Sequence, residues 1–260
     1  MRSKHMSVLD DIRQEQKKMI GKPLKEKLKY FWYYYRIPTL VILVVVIFGA
    51  WIIKDLVNSK DAAFSATMIN AYGQYTQEEL KNEFVQYASI DIESYDCNLD
   101  ASSTLSYDTM TDADLATSQK VLAMTYSRAL DVIVSDQEPF TNYAMNSMFA
   151  DLREELTPEE YEKFEPYFFY VDQTKIQELE NSEMEYDDNM TAQIVDPNVD
   201  HTNPASMDDP VPVGIYLKDS AKLKQWNLYT YMEEPPIFGF LVNAQHKDIA
   251  HLFLQYLTEG

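Results

Sequence analysis

The chain has 260 residues, with 22 basic and 42 acidic side chains and a formal charge of −20. Apolar residues make up 46 % and aromatic residues 13 %, enough to fill a packed core rather than a disordered tail. So acidic a balance argues against nucleic acid as a partner, because phosphate affinity needs a basic face, and six glycines with a single cysteine leave little room for phosphate loops or thiolate clusters.

The charge is divided along the chain. Residues 1–36 carry ten basic against four acidic groups, +6, whereas the remainder carries twelve against 38, −26. Leu9, Ile12, Met19 and Ile20 share one helical face before Gly21-Lys22-Pro23 ends the run, a face suited to docking a partner. Lys22, Lys25, Lys27 and Lys29 follow. They read either as a simple topology determinant or as a hold on anionic lipid headgroups, at about 1 kcal/mol per basic residue near the surface. The 17 residues Ile37–Ile53 (IPTLVILVVVIFGAWII) hold no charge, and at ~1.5 Å per residue they span about 25 Å, close to the ~30 Å hydrocarbon core of a bilayer. Trp32 lies within an aromatic run over 30–35 and Trp51 near the far end, the interfacial positions such rings prefer. Pro38 is placed near the helix start, where its missing N–H costs little. A buried core helix is the competing reading, disfavoured by seventeen uncharged residues flanked by Arg36 and lysines. The pattern predicts a cytoplasmic basic segment over 1–30, a transmembrane helix over 31–54, a linker over 55–61 and an extracytoplasmic domain over 62–260, oriented by the positive-inside bias. A cleaved signal peptide is expected less, since its charged region would be too long and Asp61 stands where a small residue is wanted.

Beyond the linker, strands and helices alternate. Ala62–Asn70 reads as a first strand, and Thr76-Gln77-Glu78-Glu79 as a capping box for a helix whose stripe is Leu80, Phe84, Tyr87 and Ala88. A second strand is predicted within Ile90–Leu99. Thr111 opens a helix with Leu115, Leu122 and Tyr126 inward, and Ala129–Asp136 forms a buried central strand. Helical segments are predicted over Pro139–Leu156, and Thr157-Pro158-Glu159-Glu160 caps a further helix. Residues 173–210 hold ten acids and one lysine, which predicts helix remnants and then an exposed loop or lid. A strand over Val211–Leu217 follows, with Pro212 suited to an edge or a strand start, then a short helix over Ser220–Trp226 and a last strand over Ile237–Asn243. The final helix places Ile249, Leu252, Phe253, Tyr256 and Leu257 on one face. Such alternation predicts an α/β domain with a largely parallel sheet flanked by helices.

The closing unit Gly239–Leu257, with a strand ending in Val242-Asn243 and a helix carrying Phe253-Leu254 and Tyr256-Leu257, resembles the end of extracellular solute-binding proteins. Leu130–Asp136 resembles that family's strand between lobes, and Phe149-Ala150-Asp151-Leu152 its downstream packing segment. The resemblance covers about a quarter of the domain and implies a two-lobed, type 2 periplasmic-binding-protein-like fold with an interlobe cleft.

Signals for catalysis are weak. The glycines are too scattered for a phosphate cradle, Cys97 has no second thiol to pair with, and no nucleophile elbow or zinc-helix motif is present. His246 and His251 sit five apart, so a helix turns them away from each other. Asp187-Asp188 and Asp208-Asp209 suit Ca²⁺ chemically but lack the spaced loop that binds it, so a solvated acidic loop is the simpler reading. No catalytic residue, metal or cofactor is expected. A cleft, if present, is expected beyond the carboxyl ends of the strands, where Asn70, Tyr72, Ser135, Asp136 and Asn243 stand, with Tyr143, Trp226, Tyr229 and Tyr231 as possible walls; turn and core roles are the alternative for each. Two functions follow: a non-catalytic accessory module held at the outer membrane face to contact another envelope protein, or a tethered solute receptor, serving a transporter in one version. Fifteen tyrosines beyond the linker suit a protein-facing surface.

Overall fold

A computed structural model describes residues 23–58, 60–73, 77–107, 109–181 and 199–259. The chain divides into two compact units, Met1–Ser59 and Lys60–Gly260. The described residues of the first form the continuous helix α1 (Leu24–Asn58), and its stretch Tyr35–Lys54 is long and apolar enough to cross a membrane. Pro38, placed near a helix start by the sequence pattern, lies in the interior of α1, because the amphipathic turns upstream are also helical. There its missing N–H leaves one carbonyl of the preceding turn without the usual partner.

The second unit is a mixed α/β globule. Its described elements are β1 (Ala62–Met68), α2 (Gln77–Tyr87), β2 (Asp96–Asp100), α3 (Asp112–Tyr126), β3 (Val132–Ser135), α4 (Gln137–Met145), α5 (Leu152–Glu155), α6 (Pro158–Phe164), β4 (Phe168–Asp172), α7 (Gln173–Asn181), β5 (Pro210–Tyr216), α8 (Ala221–Gln225), β6 (Ile237–Phe240) and α9 (Lys247–Glu259). One six-stranded sheet runs in the order β2-β1-β3-β6-β5-β4. The β1–β2 and β1–β3 pairs are parallel, while β3–β6, β5–β6 and β4–β5 are antiparallel. The largely parallel expectation therefore holds for one half of the sheet only. Alternation along the sequence does not fix strand direction, and here the chain after β3 returns through connections that reverse it. The resemblance implies two lobes; the described residues build one sheet within one compact unit.

Helices cover both faces. One layer gathers Phe64, Phe84, Trp226, Phe253 and Tyr256 beneath α2, α8 and α9; the other gathers Ile133, Phe140, Phe149, Phe169 and Ile176 beneath α3, α4 and α7. On α3 the buried residues are Asp114, Val121 and Thr125, whereas Leu115 and Tyr126 are exposed, so the helix faces the sheet one residue away from the expected stripe. Asp114 causes the offset: its carboxylate closes a capping box with Thr111 and accepts from the Ser106 amide, which turns it inward. A second capping box joins Thr157 and Glu160 at α6 as expected, each such cap contributing ~1 kcal/mol. The expected box at Thr76 lies outside the described residues, as do Leu9–Lys22 and Asp187-Asp188. Pro212 sits near the start of β5, where the strand pairs with β4 and has not yet met β6, whose pairing covers Ile215 and Tyr216, so its missing donor costs the sheet little.

Two glycines of the sheet are set by close approach. A Cβ on Gly214 would stand 2.6 Å from Phe140 Cζ, and one on Gly239 2.6 Å from the Phe149 ring. Those two rings stack at 4.2 Å and press on the sheet between the strands. The edges of the sheet differ. Along β4, the Tyr170 amide donates to His201 O at 2.8 Å and the Gln173 amide to Asp209 O at 2.9 Å, while the His201 ring stacks on Phe169. At the other end β2 pairs with β1 alone among the described strands.

Candidate functional site

Strands β1 and β3 end side by side and deliver Asn70 and Asp136 to one edge of the sheet. Asn70 adopts φ 58°, a left-handed conformation that asparagine tolerates better than most residues. Its side-chain amide donates to Leu105 O at 2.8 Å and to Asp136 Oδ1 at 2.9 Å, and its Oδ1 accepts from the Leu105 amide at 3.0 Å. Burial pushes the Asp136 carboxyl above its ordinary range, against the opposing pull of the Asn70 amide. The Tyr231 hydroxyl donates to Asn70 O, and the Tyr231 ring lies 5.3 Å from that of Tyr72. Both rings are about half exposed. Beside them a cavity of about 250 Å³ is lined by Tyr72, Gly73, Ser103 and Leu228 among others.

The predicted residues do not all converge here. Asn70, Tyr72 and Asp136 meet; Ser135 is fully buried and its hydroxyl donates to Asp136 O at 3.0 Å. Asn243 lies at the opposite edge of the sheet, because β6 runs antiparallel to β3 and the Leu241 amide already bonds Asp131 O at the start of β3. There its side-chain amide donates to Thr125 O at 2.6 Å. Tyr143 is buried in the core. The aromatic walls divide likewise. Trp226 is buried, its indole N–H donating to Glu83 at 3.1 Å, and the Tyr229 hydroxyl reaches Ile69 O and Val134 O at 2.9 and 3.1 Å beneath the edge. Only Tyr72 and Tyr231 face solvent. The edge can stack a flat ligand against these two rings, but it offers no base beside a nucleophile: Asn70 is fully bonded within the fold.

Two histidine arrangements escaped the sequence reading. Asp131, buried at the amino end of β3, accepts from the backbone amides of Ser65 (2.9 Å), Gln245 (3.0 Å) and His246 (3.0 Å), and its Oδ2 lies 3.0 Å from His246 Nδ1. One carboxylate thus ties β1, β3 and the approach to α9 together. On α9, His251 Nδ1 lies 3.1 Å from Glu160 and Nε2 3.6 Å from Glu155, while Lys247 reaches Glu155 at 2.5 Å. Hydrogen bonding to Glu155 and Glu160 holds the imidazole above its ordinary range despite burial. The signal in the sequence was the acidic run at 154–160, whose four glutamates outnumber the local bases Arg153 and Lys163. Cys97 is buried, and desolvation pushes its thiol up to about 11. The amides of Asp208 and Asp209 donate to Asp172, so this acidic pair follows a turn. Among the described residues no group of three or more His, Cys, Asp or Glu side chains is placed to hold a metal ion.

On α1, Lys25, Lys29 and Arg36 line a shallow depression with Leu28, Phe31 and Trp32. Basic and aromatic side chains are interleaved there, and Trp51 is exposed further along. Lys27 lies within α1, and Lys22 lies outside the described residues. Comparison of the chain with protein-family models, with curated proteins and with solved structures finds no match.

Proposed function

We propose that this chain is a single-pass membrane protein whose α/β globule stands outside the cytoplasm and serves as a non-catalytic accessory module for another envelope protein. The observation that carries the reading is α1: within its span Tyr35–Lys54 the uncharged run Ile37–Ile53 has Lys25, Lys29, Trp32 and Arg36 on its amino side. That arrangement suits insertion with the basic flank facing the cytoplasm, where anionic headgroups gather. At the carboxyl edge of β1 and β3 the polar groups bond one another, which favours an interaction role over chemistry. The likeness of Gly239–Leu257 to solute-binding proteins belongs to this reading as a shared style of closing strand and helix. A tethered solute receptor is the second reading, and the cavity beside Tyr72 is the observation in its favour.

The test is topology. A single cysteine introduced at Tyr126, which is 83 % exposed, is expected to react with a membrane-impermeant maleimide in intact cells, the protein remaining in the membrane after alkaline carbonate. Labelling only after lysis, or recovery in the soluble fraction, would sink the proposal. Tyr72→Ala with Tyr231→Ala then separates the two readings, since only a receptor loses solute binding.

A further inference from the structure

One face of the β1–β2 pair carries polar side chains where the rest of the sheet is apolar. The parallel register sets Ser65 beside Asn98 and Thr67 beside Asp100, so these four share a face, while Phe64, Ala66, Cys97 and Leu99 enter the apolar layer on the other. Ser65 and Thr67 are 2 % and 1 % exposed. Every other buried serine and threonine hydroxyl among the described residues donates to a carbonyl or carboxylate of the fold. Among the described residues, the Ser65 and Thr67 hydroxyls and the Asn98 side-chain amide have no hydrogen-bond partner. The unbonded polar atoms that are sealed from solvent belong to Tyr143, Asn243 and Tyr256 instead. Ser65 and Thr67 open into a groove of about 870 Å³, where Asn98 and Asp100 continue the floor and Lys120 and Met124 of α3 form a wall. Asp100 is occupied: it accepts from the Ser102 amide at 2.9 Å and from Lys120 Nζ at 2.6 Å. Lys120 is thereby held at the groove with two of its three N–H groups unused among the described residues.

We propose that this groove binds a small uncharged polyhydroxy compound, of the monosaccharide or cyclitol class, through Ser65, Thr67, Asn98 and Lys120. Ser65, Thr67 and Asn98 each offer both a donor and an acceptor. A ligand hydroxyl does the same and can satisfy all three, whereas a carboxylate or phosphate brings acceptors only and an ammonium donors only. Charge points the same way. The lining cancels, with Lys60, Lys81 and Lys120 against Glu78, Asp96 and Asp100, and the −26 carried beyond residue 36 repels an anion. The volume falls within the ~300–1,000 Å³ usual for small-molecule sites. A buried hydroxyl without a partner costs stability, and alanine and valine would fill positions 65 and 67 without that cost. The bonds missing inside the fold are the ones a hydroxylated ligand supplies.

The test follows the Met124 methyl signal of full-length, methionine-labelled protein in nanodiscs, assigned through Met124→Leu. D-glucose, D-galactose, D-mannose and myo-inositol are added singly to tens of millimolar, with sodium sulfate and tetramethylammonium chloride as ionic comparisons. At least one polyol should shift Met124 saturably, and neither salt should. Asn98→Ala, at an exposed position, should weaken that binding roughly threefold to tenfold, the loss of a hydrogen bond or two. Ser65→Ala combined with Thr67→Val should abolish binding while Tm stays level or rises, because these hydroxyls make no bond in the fold. A Met124 signal that no polyol moves, a saturable shift with either salt, undiminished binding in either variant, or a lower Tm for the double variant would each overturn the site. The inference goes beyond the interaction-module reading, and its failure leaves the membrane topology experiment untouched.

Discussion

Replacing Asp131 by alanine tests the strongest structural inference about the globule. The substitution removes a buried acceptor that three backbone amides use, those of Ser65, Gln245 and His246. Each orphaned donor costs about 1–3 kcal/mol, and loops at Gln245 can relax to water, so a loss of at least ~3 kcal/mol is expected. That is a large share of the 5–15 kcal/mol typical of a domain. With a urea slope near ~3 kcal/mol/M for a unit of this size, the unfolding midpoint should fall by about 1 M. The measurement is urea unfolding of the full-length protein in nanodiscs, following the fluorescence of buried Trp226 with Trp32 and Trp51 replaced by phenylalanine. Asp131→Asn, which keeps one acceptor oxygen, should fall between wild type and alanine. A midpoint for Asp131→Ala within about 0.2 M of wild type would refute the claim that this carboxylate joins β1, β3 and the start of α9.

The His251 cluster gives a pH signature. Its imidazole is raised above 6.5, mainly by Glu155, so its contribution is complete below about pH 6.5 and is lost as pH rises through the folded value. Glu155 is lowered from 4.5 chiefly by His251; for Glu160, burial is outweighed by the Thr157 amide and His251, so both contribute above about pH 4.5 and lose it on acidification. The clasp between α9 and the α5–α6 region should therefore peak between these values, and His251→Gln should flatten the alkaline side of a melting-temperature profile. Gly214→Ala should cost about 1–3 kcal/mol through overpacking against Phe140 and Ile237, seen as a drop of several degrees in Tm. Gly49→Ala, which meets nothing within 4 Å, serves as the neutral control.

What the chain reveals without its structure depends on how local the cause is. Helix α6 was legible because Thr157, Pro158 and Glu160 act within one turn, and β3 because a short β-branched run between turns has few other uses. The direction of β6 was not legible: antiparallel insertion between β3 and β5 is decided by what Phe238 and Phe240 pack against across the sheet. That one reversal also separates Asn243 from Asn70 and Asp136. Strand β4 escaped notice because Phe168–Val171 lies between a helix and an acidic segment, and its closure by His201 spans some thirty residues. On α3, hydropathy favoured Leu115 and Leu122, whereas the inward turn of Asp114 is a matter of hydrogen bonding. Of the candidate edge, the strand termini were readable, but the mutual bonding that occupies them was not.

Strand β6 is the only one of the described strands that touches both halves of the sheet, β3 on one side and β5 on the other. Among the described strands it is also the last in chain order, and so the last of the six to leave the ribosome. Until residue 240 has emerged, the earlier strands exist as two separate ribbons, each with a raw inner border and aromatic rings such as Phe140 and Phe149 uncovered. A nascent chain halted anywhere short of that point presents a sticky surface that chaperones and proteases can recognise.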